Sequence, residues 1–572
     1  MRFSFLCGKN IKTAMKRRLY VIFLCLLAIN FYLPAVEIPK LVKNKAGVTQ
    51  LILDGTPYVM LAGELMNSSA STIENMAPKW ERLKKLNLNT VLLTVTWEQL
   101  EPEEGQYDFA VVDGLIKAAR EHDLKLVFLW FGSWKNGSSG YAPHWVMRDT
   151  KRFPRMKNKN GENRPYLSNF TQALADVETK TFRVLMSHIK DIDSEHRTVL
   201  MVQVENEVGL LGDSRDRSPM AEELFKKEVP KELIAYLQKN EKKILPEIIE
   251  QWKANGKKSK GSWVELFGNE SHNLADELFM GWYYANYIEK IASEGKKTYP
   301  IPLFVNAWTI YPKDPVPGNY PSGGPNARML DIYQMAAPSI DILSVDNYNE
   351  DYISKLKEFN RNGNPIFVPE AVALFRGEKW LGPAQAFYTF SEFNAICFSP
   401  FGIDNDVYDE NHPLKDAYRV LNNLMPLIIR EHGTGNMRGF LQQDNNNDKI
   451  DFGDYEMHIS YGYPYKGYGL VIRLSEDEFL VSGNGANVSF QSKNKLLPGI
   501  SYGTIREGYF VNGEWKTIKY ANGDEAMQGV GGVKIPPVYL KEDANPNSVS
   551  TVIIKVIPVE SSTYVNKNIL DD

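Results

Sequence analysis

Cysteine is scarce: three in 572 residues, with Cys7 and Cys25 both inside the first 36 positions. Only Cys397 lies beyond them, so no internal disulfide can staple the remaining chain, and its fold must rest on a hydrophobic core. Histidine is scarce too, and the eight present include no His-Glu-x-x-His pair. The metalloprotease-type zinc helix is thereby excluded, and no metal or other cofactor is expected. No Gly-rich phosphate loop follows a strand pattern. The Asp444–Asp448 run has Lys449 where a calcium loop needs Gly, and Tyr455 where it needs Glu. Neither sign of charge dominates: 66 Lys+Arg against 70 Asp+Glu leave a net charge of -4. That excludes the strong basic excess typical of a nucleic-acid binder.

The one sustained apolar run is N-terminal. Met15-Lys16-Arg17-Arg18 precedes the apolar residues 19–33, the order of a signal peptide's charged and hydrophobic regions. Residues 1–36 are expected to form an export signal starting at Met15 and cut near Ala35. The run is short for a stable span of roughly 20 residues. The expected location is therefore the periplasm or the cell exterior, with no membrane span after cleavage.

What is abundant is apolar and aromatic surface: 43% hydrophobic residues, 11 Trp and 29 Tyr. Short β-branched runs alternate with helical patterns, the signature of parallel β/α construction. Strands are predicted at 58–63, 90–96, 124–130, 198–204, 302–307, 340–345, 365–368 and 395–399. Helices are predicted between them at 76–86, 109–121, 173–192 and 274–294. Eight units make a (β/α)8 TIM barrel over 37–425. A Lys/Glu-rich stretch within 211–273 reads as a lid, a cleft wall or a solvated excursion. From about Pro426 the alternation turns strand-like, predicting an all-β, sandwich-like accessory domain over 426–572 that serves as support.

Chemistry concentrates at two strand ends. Val204-Glu205-Asn206-Glu207 closes the fourth strand, and Val368-Pro369-Glu370 closes the seventh. Residues past the C-terminal ends of barrel strands face one common mouth. Two carboxyls there suit retaining glycoside hydrolysis. Glu207 would act as general acid/base, its pKa raised by charge and burial, and Glu370 as nucleophile. Asn206 would hydrogen-bond the sugar 2-hydroxyl. Glu205 reads as a structural carboxylate one layer deeper in the barrel. Glu64, Glu98, Trp130, Trp134, Trp308 and Tyr348, at the ends of other strands, are candidates to line a sugar pocket.

The segment Met201-Val202-Gln203-Val204-Glu205-Asn206-Glu207-Val208-Gly209 resembles the acid/base signature of glycoside hydrolase family 35, the β-galactosidases. Residues 97–109, from Trp97-Glu98-Gln99 to Tyr107-Asp108-Phe109, resemble that family's second-strand segment. Pro365-Ile366-Phe367-Val368-Pro369-Glu370 resembles its nucleophile strand. The resemblance covers roughly residues 50–405, and the tail is similar to the accessory β-domain of a bacterial branch. It implies an exo-acting, retaining β-galactosidase trimming plant-type oligo- or polysaccharide, with Tyr348 hydrogen-bonded to the nucleophile. Two departures matter. The family's Trp-Asn-x-His-Glu-Pro is Trp97-Glu98-Gln99-Leu100-Glu101-Pro102 here, and its Ala-Glu-Trp, whose Glu holds galactose hydroxyls, is Gly132-Ser133-Trp134. Sugar identity therefore transfers less firmly than reaction type. A β-glucosidase, an endo-β-glycanase and a non-catalytic carbohydrate-binding barrel stand as alternatives.

Overall fold

The computed structural model describes residues 37–560 except 270–272, 311–314, 350, 373–380, 407–411, 445, 462–466, 512, 522–531 and 536–547. The expected export signal lies outside these residues. No helix among them is long and apolar enough to cross a membrane.

Eight parallel strands form the central sheet: β1 (Met60–Glu64), β2 (Thr90–Thr96), β3 (Lys125–Lys135), β4 (Val199–Asn206), β5 (Leu303–Trp308), β6 (Ile342–Asp346), β7 (Phe367–Ala371) and β8 (Cys397–Pro400). Their order is β6-β5-β4-β3-β2-β1-β8-β7. The ends meet where the Asn347 N–H donates to the Glu370 carbonyl at 2.9 Å, which closes the barrel. All eight predicted strands are present, and β2 has the predicted limits.

Alternation explains the packing. Met60, Ala62, Leu92, Val127, Leu129, Phe131, Met201, Phe304, Ile342, Phe367 and Cys397 fill the barrel interior. The intervening residues, such as Phe128 and Trp130, turn outward onto the helices. At the N-terminal mouth, Leu51 and Leu53 of a small three-stranded sheet join the inner core.

The described residues of 211–273 are not a solvated excursion. They carry helices Pro219–Lys226, Lys231–Asn240, Pro246–Ala254 and Trp263–Phe267. Leu233, Leu237, Ile248, Trp252 and Trp263 are buried, and Phe225 and Trp263 pack edge-on against Phe279 of the outer helix Leu274–Thr298. The Lys/Glu richness marks only the outward faces of amphipathic helices.

The expected junction at 425/426 falls inside the helix Pro413–Glu431. Buried Leu421, Leu424, Met425 and Ile428 carry that helix through Pro426, because packing of an apolar stripe outweighs one lost backbone hydrogen bond. Beyond it, a six-stranded and a four-stranded antiparallel sheet pack face to face. Phe440, Met457, Ile459, Val471, Phe479, Val481, Val488, Val552 and Ile554 lie between them. The other face of the larger sheet lies on the barrel: Tyr468 meets Phe387 at 5.6 Å, and Glu392 accepts from the Gly439 N–H at 2.7 Å.

Candidate active site

Four carboxyls and one ammonium converge at the C-terminal mouth of the barrel. Glu207 follows β4 and Glu370 lies on β7; with Asp346 at the end of β6, each offers an oxygen, and these oxygens all lie within 4.8 Å of one another. The same three oxygens are near enough to ligate a cation. The His pattern that argued against a metal says nothing about such an all-carboxylate group, although the Lys135 ammonium already supplies positive charge beside it.

Glu370 is held from both oxygens. Oε1 accepts from Asn206 Nδ2 at 3.3 Å and Asn306 Nδ2 at 3.2 Å, and Oε2 accepts from Tyr348 Oη at 2.8 Å. Burial, then the Glu370 charge, pushes the Tyr348 phenol far above its ordinary range, so it stays a donor. Asn306 also donates to Asp346 Oδ2 at 2.8 Å and accepts from the Glu207 N–H at 3.0 Å, so one amide on β5 ties three acidic residues together.

Glu207 has its pKa raised to about 7, by burial first and by the Glu370 charge second, with Lys135 and a hydrogen bond to Asp346 opposing. Asp346 is held well above the carboxylate range by burial and then by Glu370 and Glu207. A pKa of about 7 keeps a large fraction of Glu207 protonated at neutral pH, as a general acid requires.

The end of β4 breaks the period-two rule. Glu205 and Glu207 have φ of 63° and 43°, a left-handed backbone costing of order 1–3 kcal/mol at such residues. Glu205 consequently sits beside the helix layer rather than below Glu207 inside the barrel. Its carboxyl accepts from the Gly132, Ser133 and Trp134 N–H groups at 3.1, 2.8 and 3.0 Å. Burial and then the neighbouring Glu178 charge raise its pKa well above the carboxylate range, and buried Glu178 in turn accepts from Trp130 Nε1, Ser133 Oγ and Tyr287 Oη. Its expected structural role is thus seen as a clamp on the end of β3.

Gly209 completes the turn at φ 136°, and a Cβ there would meet the Pro321 backbone at 2.6–2.7 Å. Gly209→Ala is expected to lower unfolding free energy by roughly 2–4 kcal/mol, summing backbone strain and overpacking. Urea denaturation checks this, and an unchanged midpoint would show that the loop shifts freely.

Of the pocket candidates, Glu64 joins the group: its neighbours in charge are Glu370, Lys135 and Glu207. Tyr348 and Asn206 also reach Glu370. Trp308 is half-buried at the β5 rim, two residues beyond Asn306 on the same face. Trp130 and Trp134 are corrections. Both are fully buried in the outer layer, Trp130 against Phe182 and Trp134 edge-on to Tyr284 and Tyr287. Trp130 and Trp134 both have the parity of outward Phe128, which places them on the helix side of β3. Glu98 is half-buried as the second residue of the helix Trp97–Leu100 after β2; its N–H donates to the Tyr141 carbonyl, and the charge acting on it is that of His144.

Asn306, Asp346 and Lys135 escaped the sequence reading. The first two sit two residues before Trp308 and Tyr348, so inward parity would have found them. Lys135 has the inward parity of Phe131 but lies beyond residue 130, where the predicted strand ended.

A family model described as β-galactosidase, that of glycoside hydrolase family 42, matches residues 70–379. A second, for a domain of unknown function (DUF5597), matches residues 414–531. The matching family is thus 42 rather than the expected 35, because short strand-end segments shaped by the same chemistry do not separate families. A curated β-galactosidase from Xanthomonas manihotis is 28% identical over 181 residues, 30% of this chain and 27% of that protein. The chain thus spans about a quarter of the length of that relative. Among solved structures, a β-galactosidase from the Antarctic haloarchaeon Halorubrum lacusprofundi is similar at TM-score 0.42 and 14% identity, covering 64% of this chain and 58% of that one. The catalytic domain of a β-amylase from Paenibacillus polymyxa is similar at TM-score 0.43 and 13% identity, covering 60% and 92%.

Proposed function

The chain belongs to the β-galactosidases of glycoside hydrolase family 42, and from that premise we propose that it removes terminal β-linked galactose from plant-type oligo- or polysaccharides with retention of configuration. The observation that carries this reading is the pairing of a buried Glu207, with a pKa of about 7, and a Glu370 held by Tyr348, Asn206 and Asn306. Glu370 attacks the anomeric carbon while Glu207 gives its proton to the departing oxygen, leaving a glycosyl ester on Glu370. The ester no longer carries the charge that helped to raise the Glu207 pKa. Glu207 therefore becomes the carboxylate that takes a proton from the incoming water, which releases the β-anomer and restores Glu370. Asn206, already bonded to Glu370, is placed to hold the 2-hydroxyl.

Exo action is favoured because Glu64, Glu207 and Glu370 are all buried, which suits a recess for one terminal sugar better than an open groove. Export to the periplasm or cell exterior, read from residues 15–33, belongs to the same proposal. Incubation with an aryl β-D-galactoside, followed by proton NMR of the released sugar, tests it. β-Galactose appearing before mutarotation supports the reading. α-Galactose first would refute retention, and release from other β-glycosides alone would refute the choice of sugar.

A further inference from the structure

Lys135 occupies the place left by the departure at the end of β3. Its ammonium lies over the Phe131 ring, 4.7 Å from the centroid, and the residue is buried. Glu370, Glu207, Glu64 and Asp346 all act on its charge, yet among the described residues it donates to no acceptor. Across the same mouth, Glu64 is 1% exposed, and neither of its oxygens has a hydrogen-bond partner among the described residues. A buried carboxyl with both oxygens unpaired is rare and costly in a folded protein and points to a ligand that completes it.

Resting on the glycosidase reading above, we propose that Lys135 and Glu64 are the specificity-determining pair that reads the glycone. The ammonium donates to, and the carboxyl accepts from, neighbouring hydroxyls of the sugar whose anomeric carbon faces Glu370. A cation with free donors beside a carboxyl with free acceptors matches two adjacent hydroxyls, each of which can accept and donate. The two feel one another's charge without forming a bond, so neither is used up by the other. One ammonium among four carboxyls leaves no surplus positive charge, which fits a neutral sugar rather than a uronate. The pair is also rigid. Glu205 clamps the three N–H groups leading into Lys135, the Phe131 face supports the ammonium, and Glu64 is fixed on β1.

The test is a cycle between protein and substrate. Wild type, Lys135→Met and Glu64→Gln are assayed on 4-nitrophenyl β-D-galactoside and its 2-, 3-, 4- and 6-deoxy analogues, with folding checked by circular dichroism. Lys135→Met is expected to lower kcat/KM by about 10²–10³-fold. Deoxygenation at the position it contacts should cost wild type a comparable factor but cost the variant less than about threefold, because the two losses remove one interaction. Glu64→Gln should show the same non-additivity at an adjacent position. Losses that multiply at every position, or a Lys135→Met enzyme within about threefold of wild type, would overturn the proposal. If Lys135→Met does not fold, Lys135→Gln is carried through the same cycle. A wild type that ignores galactosides but cleaves another aryl β-glycoside refutes the galactose reading alone, and the cycle is then run on that sugar. A wild type that cleaves none overturns both.

Discussion

Glu370→Gln is expected to lower kcat by about 10⁴-fold or more while the protein stays folded. The expectation follows from where the side chain sits. Its oxygens receive Tyr348, Asn206 and Asn306, and it lies with Glu207 inside the 4.8 Å group. A neutral amide cannot form the glycosyl ester. Stability should change little, because a like charge is removed from a crowded group of acids while most of the surrounding hydrogen bonds are kept. The substitution also has a second readout. Glu370 is the second-largest cause of the raised Glu207 pKa, so in the variant Glu207 should titrate below 7. Carbon-13 NMR of labelled carboxyls would show it, and an unshifted Glu207 would mean that burial alone sets its value. Activity near wild type would remove Glu370 from the mechanism.

Glu207→Gln is expected to be nearly as damaging on natural linkages, about 10³–10⁴-fold, and to fail in a different way. Alkoxide leaving groups need the proton, whereas dinitrophenolate does not. An activated aryl glycoside should therefore still load Glu370, and the slow step becomes water attack without a base. Added azide, which needs no base, should restore turnover and give a β-glycosyl azide. The pH profile gives the matching signature. Glu207 must be protonated to act as the acid, and its pKa is about 7. In wild type, kcat/KM should therefore be full below that value and fall about tenfold per pH unit above it, and the alkaline limb should vanish in Glu207→Gln. A variant that keeps the limb near pH 7 would assign it to another group.

Much of this arrangement was legible because barrel strands are apolar on both faces and read as short β-branched runs. β2 was found to the residue for that reason. β3 and β4 were read too short, since they continue to Lys135 and Asn206 through polar residues that hydropathy assigns to solvent. Glu207 and Glu370 were legible from being at strand ends. Tyr348 came from the resemblance, and the structure gives it the expected hydrogen bond. Trp130 was misplaced by treating nearness to a strand end as sufficient, when Val127, Leu129 and Phe131 already fixed the inward parity. Trp134 has the outward parity of Trp130 and Lys135 the inward parity of Phe131, so alternation carried to the true end of β3 would have assigned both. Glu205 was beyond such rules, because its direction is set by positive φ at Glu205 and Glu207, which no alternation predicts. The expected boundary at Pro426 was set by the change to strand-like alternation, whereas a buried helical stripe carries the helix on to Glu431.

The central claim is that Glu370 forms the covalent intermediate. It is tested most directly by inactivating the enzyme with 2,4-dinitrophenyl 2-deoxy-2-fluoro-β-D-galactoside, then digesting it and sequencing the labelled peptide by mass spectrometry. The account predicts one fluorosugar per chain, attached at Glu370, with no label in Glu370→Gln. A label on Glu207, Asp346 or Glu64 would contradict it.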